Sequence, residues 1–344
     1  MHIVTAPNFA GVERYVCTVA NESAARGWET TVVGGHPTHM QKALVPEVRW
    51  LSGSNAARAV RSIARAGRHE FCHAHMTIAE AVAVATRPLH RAPVISTRHF
   101  AARRGSSTGG RLLAPWIARR LAREIAISDF VAIHLERPPD AVLHNAVPAS
   151  TCLWKPASTV VLVLQRLERE KDTATALRAW GLSGLHKRGW TLRIIGDGSE
   201  RPALERLARD AGLSGVAFGG WSASVAGEFA NAGVLLAPAP AEPFGLSVLE
   251  AMAAGVPVVA SAAGGHLETV GRLSEARLFQ PGDADAAAAA LRSLLPKFQR
   301  LALSASGRRV VEEHFTVTRH VDLLLREYEL LRPAGEAARV QRQR

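Results

Sequence analysis

Short runs of β-branched residues, each followed by a longer stretch with apolar positions at helical spacing, recur along almost the whole chain. The clearest runs are Thr31-Val32-Val33, Val94-Ile95-Ser96-Thr97, Val160-Val161-Leu162-Val163-Leu164, Leu192-Arg193-Ile194-Ile195, Val234-Leu235-Leu236 and Val256-Pro257-Val258-Val259. Runs this short and apolar read as strands buried on both faces, and the helical stretches between them supply the crossovers that parallel strands need. The pattern predicts an α/β chain with parallel sheets covered by helices on both sides.

The alternation is interrupted near residues 148–156, where Pro-Ala-Ser-Thr-Cys-Leu-Trp-Lys-Pro precedes a fresh strand. Two Rossmann-like domains are expected, residues 1–153 and 154–320. In residues 321–344 a helix around 321–331 is expected to cross back to the first domain, ahead of a disordered basic tail, Arg339-Val340-Gln341-Arg342-Gln343-Arg344. A length of 344 residues, 47% of them apolar, is enough for two cores. Neither half contains an internal repeat.

Several function classes drop out. Cys17, Cys72 and Cys152 are too few and too scattered for a disulfide framework or a cysteine zinc site. The start, Met1-His2-Ile3-Val4-Thr5-Ala6, lacks the pattern of a secretory signal, and no apolar run approaches the roughly 20 residues of a membrane-spanning helix. A cytoplasmic protein is expected, at most peripheral at an inner membrane face. The net charge of +12 is concentrated early, with 19 Lys and Arg against 10 Asp and Glu in residues 1–155. Residues 98–123 hold seven arginines around an apolar stripe of Leu113, Trp116, Ile117 and Leu121. That combination predicts contact with an anionic membrane, unless the helix buries its stripe in the first domain. No nucleic-acid motif accompanies it.

Two Rossmann-like halves would suit a dinucleotide oxidoreductase, but the turn after the first strand is Pro7-Asn8-Phe9-Ala10-Gly11-Val12-Glu13-Arg14, without the three glycines of a pyrophosphate fingerprint. Residues 241–265, AEPFGLSVLEAMAAGVPVVASAAGG, are more informative. Pro243 and Gly245 make a turn, and Leu246, Leu249, Met252 and Ala253 then recur at helical spacing, so a helix starts near Gly245. Its first amides and its dipole favour a phosphate. Glu242 and Glu250 flank that start and, as acceptor-only groups, suit sugar hydroxyls on either side of a pyrophosphate. The lone alternative for each is a solvated helix-start carboxylate.

This stretch resembles the E-x7-E signature of GT-B glycosyltransferases, in the form found in glycosyltransferase family 4. Gln165-Arg166-Leu167-Glu168-Arg169-Glu170-Lys171 is similar to the family's G-R-L-x-x-E-K element, with Gln165 in place of glycine, and Ile194-Ile195-Gly196-Asp197-Gly198 and Phe218-Gly219-Gly220-Trp221 match further elements. Thr97-Arg98-His99 resembles T-x-H, His73-Ala74-His75 resembles H-x-H, and Gly11 falls where the family has a glycine pair, the first being Ala10 here. Ser128 and Asn145 match the family's S and N-G-V elements, the latter with Ala146 in place of glycine, and the resemblance implies that both shape the cleft and hinge.

The resemblance implies a GT-B fold, with the parallel sheets of an acceptor-binding and a nucleotide-sugar-binding domain facing an interdomain cleft. It implies a retaining, metal-independent transferase using a nucleoside-diphosphate sugar, UDP-linked by preference, with no other cofactor. Arg166, Lys171 and the amides of residues 244–246 would stabilise the departing diphosphate. Glu242 would hold the donor sugar and Glu250 the ribose, with His99 aligning the sugar. Gly11, Gly220, Trp221, Phe244, Gly245 and Leu246 complete the implied donor site, and Gly264 and Gly265 would let the chain pass close to the donor. The histidine pair could bind metal by spacing alone, but a structural or acceptor-side role is preferred. A glycoside hydrolase also needs paired carboxylates, but not a phosphate-binding helix start with two cations. An epimerase or phosphorylase on the same scaffold would share part of the donor site.

Overall fold

The computed structural model describes residues 1–105, 108–151, 154–222 and 224–332, giving only the backbone for 108–111. Cys152, the Arg111 side chain and the basic tail lie outside the described residues. The chain divides into two units, Met1–Asn145 with Val317–Arg344, and Ala146–Thr316.

The first unit holds a seven-stranded parallel sheet of order β3-β2-β1-β4-β5-β6-β7. Its strands are β1 (His2–Val4), β2 (Thr31–Gly34), β3 (Arg49–Leu51), β4 (Cys72–His75), β5 (Val94–Arg98), β6 (Arg123–Ala126) and β7 (Ala141–Val142). Side-chain alternation divides the core between the two faces. Ile3, Val33, Cys72 and Val94 pack on one side, and Val4, Val32, Ile95 and Ile125 on the other.

The second unit holds a six-stranded parallel sheet of order β10-β9-β8-β11-β12-β13. These strands are β8 (Val160–Leu164), β9 (Thr191–Ile195), β10 (Val216–Gly220), β11 (Val234–Ala237), β12 (Val258–Ser261) and β13 (Arg277–Phe279). β12 begins at Val258 rather than Val256. Gly255 ends the preceding helix in a left-handed conformation (φ 85°), and the Val256 amide turns back to the Ala251 carbonyl at 2.8 Å.

The unit boundaries differ from the expected ones for local reasons. β7 is the last strand of the first ladder, and the Val147 amide already donates to the Phe315 carbonyl at 3.1 Å, so the first unit ends at Asn145 rather than at 153. Thr316 bridges to Val147, and the helix Val317–Glu329 starts immediately afterwards as part of the first unit, ahead of the expected 321. That helix buries Val321, Leu324 and Tyr328 among Tyr15, Val16 and Val19. Three such side chains contribute about 2 kcal/mol each.

In each sheet the strand order reverses at one place, between β1 and β4 and between β8 and β11. Loops leaving the carboxyl ends of strands beside such a reversal form a crevice, the usual ligand position in open α/β sheets. In the second unit those loops are the ones that begin at Gln165 and Pro238.

Candidate functional site

The loop after β11 ends at Gly245, whose φ of 91° suits glycine, and the helix Leu246–Ala254 starts from it. Intrahelical bonding begins with the amides of Val248 and Leu249, both 3.0 Å from the Gly245 carbonyl. The amides of Leu246 and Ser247 precede that first bond and are left for a ligand or solvent. The loop after β8 runs through the turn Arg169–Lys171 and brings the Lys171 ammonium to 2.6 Å from Glu242 Oε2. Both partners are largely covered, so this pair is less screened than a surface ion pair.

Two glycines hold this loop in place. A Cβ on Gly264 (φ 55°) would lie 2.3 Å from the Glu242 carbonyl oxygen, and one on Gly265 would lie 2.2 Å from Phe244 Cα. The pair therefore serves the protein's own chain at residues 242–244, and the Gly265 amide donates to the Glu242 carbonyl at 2.9 Å. Gly265→Ala is expected to destabilise the second unit by about 3 kcal/mol through this backbone clash, measured as a lower midpoint in thermal unfolding.

His266, which sequence reasoning missed, lies fully buried beside Gly245. The Ser261 hydroxyl donates to the Ala239 carbonyl, so it accepts from His266 Nδ1 at 3.0 Å, leaving Nε2 as an acceptor. Burial lowers its pKa to about 4, against the opposing charge of Glu242, so the ring is neutral. The only sequence signal for it was its place directly after the glycine pair.

Other expected donor residues divide. Glu250 is half-buried on the helix eight positions after Glu242. Trp221 is 76% exposed, beside Gly220 (φ 67°), so it is free to meet a ring and is not a packing aromatic. Arg166 departs from expectation: its side chain is 64% exposed and pairs with Glu170 at 2.7 Å, away from the Lys171–Glu242 contact. Phe244 also departs. Its ring is in the core, edge-on to Phe315 at 5.8 Å, which leaves its backbone as the part a ligand could touch.

In the first unit, Gly11 opens the helix Gly11–Ala25, and the Glu13 carboxylate accepts from the Ala10 amide at 2.8 Å. Thus one helix-start amide is already occupied by the protein. His99 is 6% exposed and belongs to a file in which His2 Nδ1 meets His75 Nε2, and His75 Nδ1 meets His99 Nε2, both at 3.1 Å. Ser128 is the N-cap of the helix Asp129–Ile133, its hydroxyl accepting from the Val131 amide.

A second buried chain fixes its own proton directions. The His144 carbonyl must accept from His320 Nδ1–H (2.7 Å), so His320 Nε2 accepts from the Tyr15 hydroxyl (2.8 Å). In the same core His73 Nε2 meets the Thr97 hydroxyl at 2.7 Å and His73 Nδ1 meets the Tyr328 hydroxyl at 2.6 Å. His320 and Tyr328, which make two of these contacts, both lie on the returning helix. His2, His73 and His75 stand close enough to be a metal cluster by distance, but both His73 nitrogens are occupied in this chain. Burial holds all three rings well below the usual pKa of 6.5 and lowers His99 to about 3 and His320 to about 4.

The basic segment is partly internal. Arg98 pairs with Glu124 and Arg104 with Glu80, each at 2.7 Å and buried, and Glu136 joins both arginines. Arg123 pairs with Glu327. Arg103, Arg119 and Arg120 remain exposed. The apolar stripe on the helix Thr108–Ala118 and its exit is split: Ile117 is buried, Leu121 packs on the core, and Leu113 and Trp116 face outward beside Leu112, which is 85% exposed.

Comparison with known proteins relates the chain to glycosyltransferases. Residues 9–151 match the family model "Glycosyltransferase Family 4", and residues 153–306 match "Glycosyl transferases group 1". The chain is 32% identical over 174 residues to the 2-deoxystreptamine glucosyltransferase of Streptomyces kanamyceticus, a stretch covering 49% of this chain and 45% of that protein. It is 37% identical over 111 residues to a GDP-mannose-dependent phosphatidylinositol dimannoside mannosyltransferase of Mycobacterium tuberculosis, covering 31% of this chain and 29% of that one. The chain thus spans less than half the length of these curated relatives. In fold it is similar to Anabaena Alr3699/HepE, crystallised with UDP and glucose, at a TM-score of 0.79 and 18% identity over 95% of this chain and 98% of that one.

Proposed function

We propose that this chain, which belongs to the family 4 glycosyltransferases of GT-B fold, is a retaining, metal-independent hexosyltransferase working in the cytoplasm. It takes a sugar from a nucleoside diphosphate, UDP by preference, and passes it to a hydroxyl of a small-molecule, secondary-metabolite or cell-envelope acceptor. The observation that carries the reading is the Lys171–Glu242 pair, 2.6 Å apart, which joins the turn after β8 to the loop just ahead of the helix Leu246–Ala254. A cation, two unused helix amides and two carboxylates are the set a sugar linked to a diphosphate requires.

In this mechanism the bond from the anomeric carbon to the β-phosphate oxygen lengthens first, and charge builds on the departing diphosphate. Lys171 and the amides of Leu246 and Ser247 stabilise that charge, and Arg166 joins them by turning from Glu170. Glu242 accepts from the sugar hydroxyls and Glu250 from the ribose. Trp221 lies against the base beside Gly220. His99, neutral and held by His75, aligns the sugar. The departing phosphate takes the acceptor proton, so no protein nucleophile is required.

The test is turnover with a panel of nucleotide sugars and candidate acceptors, following release of nucleoside diphosphate with EDTA present. Release that depends on acceptor supports transfer. Interconversion of donors without net release would instead favour an epimerase, and dependence on inorganic phosphate a phosphorylase.

Contact with an anionic membrane is the second part of the reading, favoured by exposed Leu112, Leu113 and Trp116 on a helix that exits into the exposed Arg119 and Arg120. Leu112→Ser with Trp116→Ser is expected to reduce binding to vesicles containing phosphatidylglycerol at least fivefold. Wild-type protein that ignores such vesicles contradicts it. Arg104 is unsuitable for this experiment, since its removal would strand Glu80 in the core.

A further inference from the structure

The motif that Gln165-Arg166 resembles has glycine where this chain has glutamine, and the structure gives that side chain a task. Gln165 continues directly from β8, with its amide bonded to the Ile195 carbonyl at 3.1 Å. Its own Nε2 donates twice, to the Lys171 carbonyl and to the Thr173 hydroxyl, both at 2.9 Å. Both amide protons are thereby used, and a glycine could supply neither.

Between those two acceptors lies Asp172, at φ 47° in the left-handed region that few non-glycine residues adopt. Its carboxylate holds the turn from the other side, accepting from the Thr175 amide at 3.3 Å and the Thr175 hydroxyl at 2.7 Å. Residues 171–173 are therefore fastened before and after a strained residue, and Lys171 is delivered from this fixed point to Glu242. A lysine has four rotatable side-chain bonds and gains little from a partner unless its backbone is fixed.

We infer that Gln165 is a positioning residue for the donor's diphosphate: its carboxamide fixes the Lys171 backbone, so that the ammonium is shared between Glu242 and the β-phosphate. This rests on the donor reading proposed above. The sharing has a chemical consequence. A ligand with a β-phosphate draws Lys171 toward itself and releases Glu242 to accept sugar hydroxyls, whereas a nucleoside monophosphate leaves the pair closed.

The experiment is calorimetric binding to the full chain of whichever of UDP, GDP, ADP or dTDP binds the wild type, and of its monophosphate. Wild type, Gln165→Ala, Lys171→Ala and the double variant form a cycle. Gln165→Ala is expected to weaken diphosphate binding five- to tenfold and leave monophosphate binding unchanged. In the Lys171→Ala background the same change should have no further effect. Gln165→Met, similar in length and without N–H groups, should reproduce the alanine result and serves if the alanine variant does not fold. An equal loss for both nucleotides, or an undiminished loss in the Lys171→Ala background, overturns the inference and leaves Gln165 a structural residue. Wild-type protein that binds the diphosphate no more tightly than the monophosphate overturns the donor reading itself, and this inference with it.

Discussion

Lowering the pH from 7.5 to 5.5 is expected to destabilise the first unit much more than the second. His2, His73, His75, His99 and His320 are buried, and each has its pKa lowered by burial first of all. The unfolded chain therefore binds more protons than the folded one once the pH drops below 6.5, so stability is complete above that value and is lost on acidification. The loss continues until the folded-state values are reached, about 4 for His320 and about 3 for His99. At pH 5.5 each of the five rings therefore favours the unfolded chain, and all five belong to the first unit. The second unit has one comparable ring, His266. Calorimetry should show one transition moving down steeply between pH 6.5 and 5.5 while the other moves little. Transitions unchanged to pH 5 would mean that the file and the chain accept protons without breaking.

Lys171→Ala is expected to lower kcat by a factor of about 100 to 1000, the range for losing one group that stabilises developing charge. The loss should exceed that for Arg166→Ala, because Lys171 is already held at 2.6 Å from Glu242 while Arg166 is engaged with Glu170. Steady-state turnover of the two variants decides the order. An Arg166 effect larger than that of Lys171 would mean that the donor reorganises the loop, so that the ligand-free pairing does not predict the working one. Donor KM for Lys171→Ala should change less than kcat, since the charge it meets is greatest in the transition state.

Much of the architecture was legible because buried parallel strands leave a strong trace. Val160–Leu164 can hardly be anything else, and the helix after Gly245 follows from Leu246, Leu249 and Met252. The unit boundary was less legible, since it depends on which partner the Val147 amide finds, and that partner, Phe315, is far away in sequence. Side-chain roles were least legible. Phe244 sits inside the stretch read as a donor site, yet burial against Phe315 decides its place. Glu80, Glu124 and Glu136, which neutralise Arg98 and Arg104, are scattered along the chain with no spacing that could mark them as partners. The excess positive charge of the N-terminal part was real, but its location was not readable. The glycine pair at Gly264 and Gly265 was visible as a requirement for close approach; what approaches is the chain itself at Glu242 and Phe244.

The central claim, that the second unit binds a nucleoside diphosphate at the start of the helix Leu246–Ala254, is tested most directly by equilibrium binding in EDTA. UDP, GDP, ADP and dTDP would be titrated into the wild type and into Glu250→Ala. The account predicts that one nucleotide binds with a Kd between about 1 μM and 1 mM, the usual span of KM values, and that the variant loses at least tenfold while keeping its thermal midpoint. A folded wild-type protein that binds none of the four, or a Glu250→Ala variant that binds as well as the wild type, would contradict it.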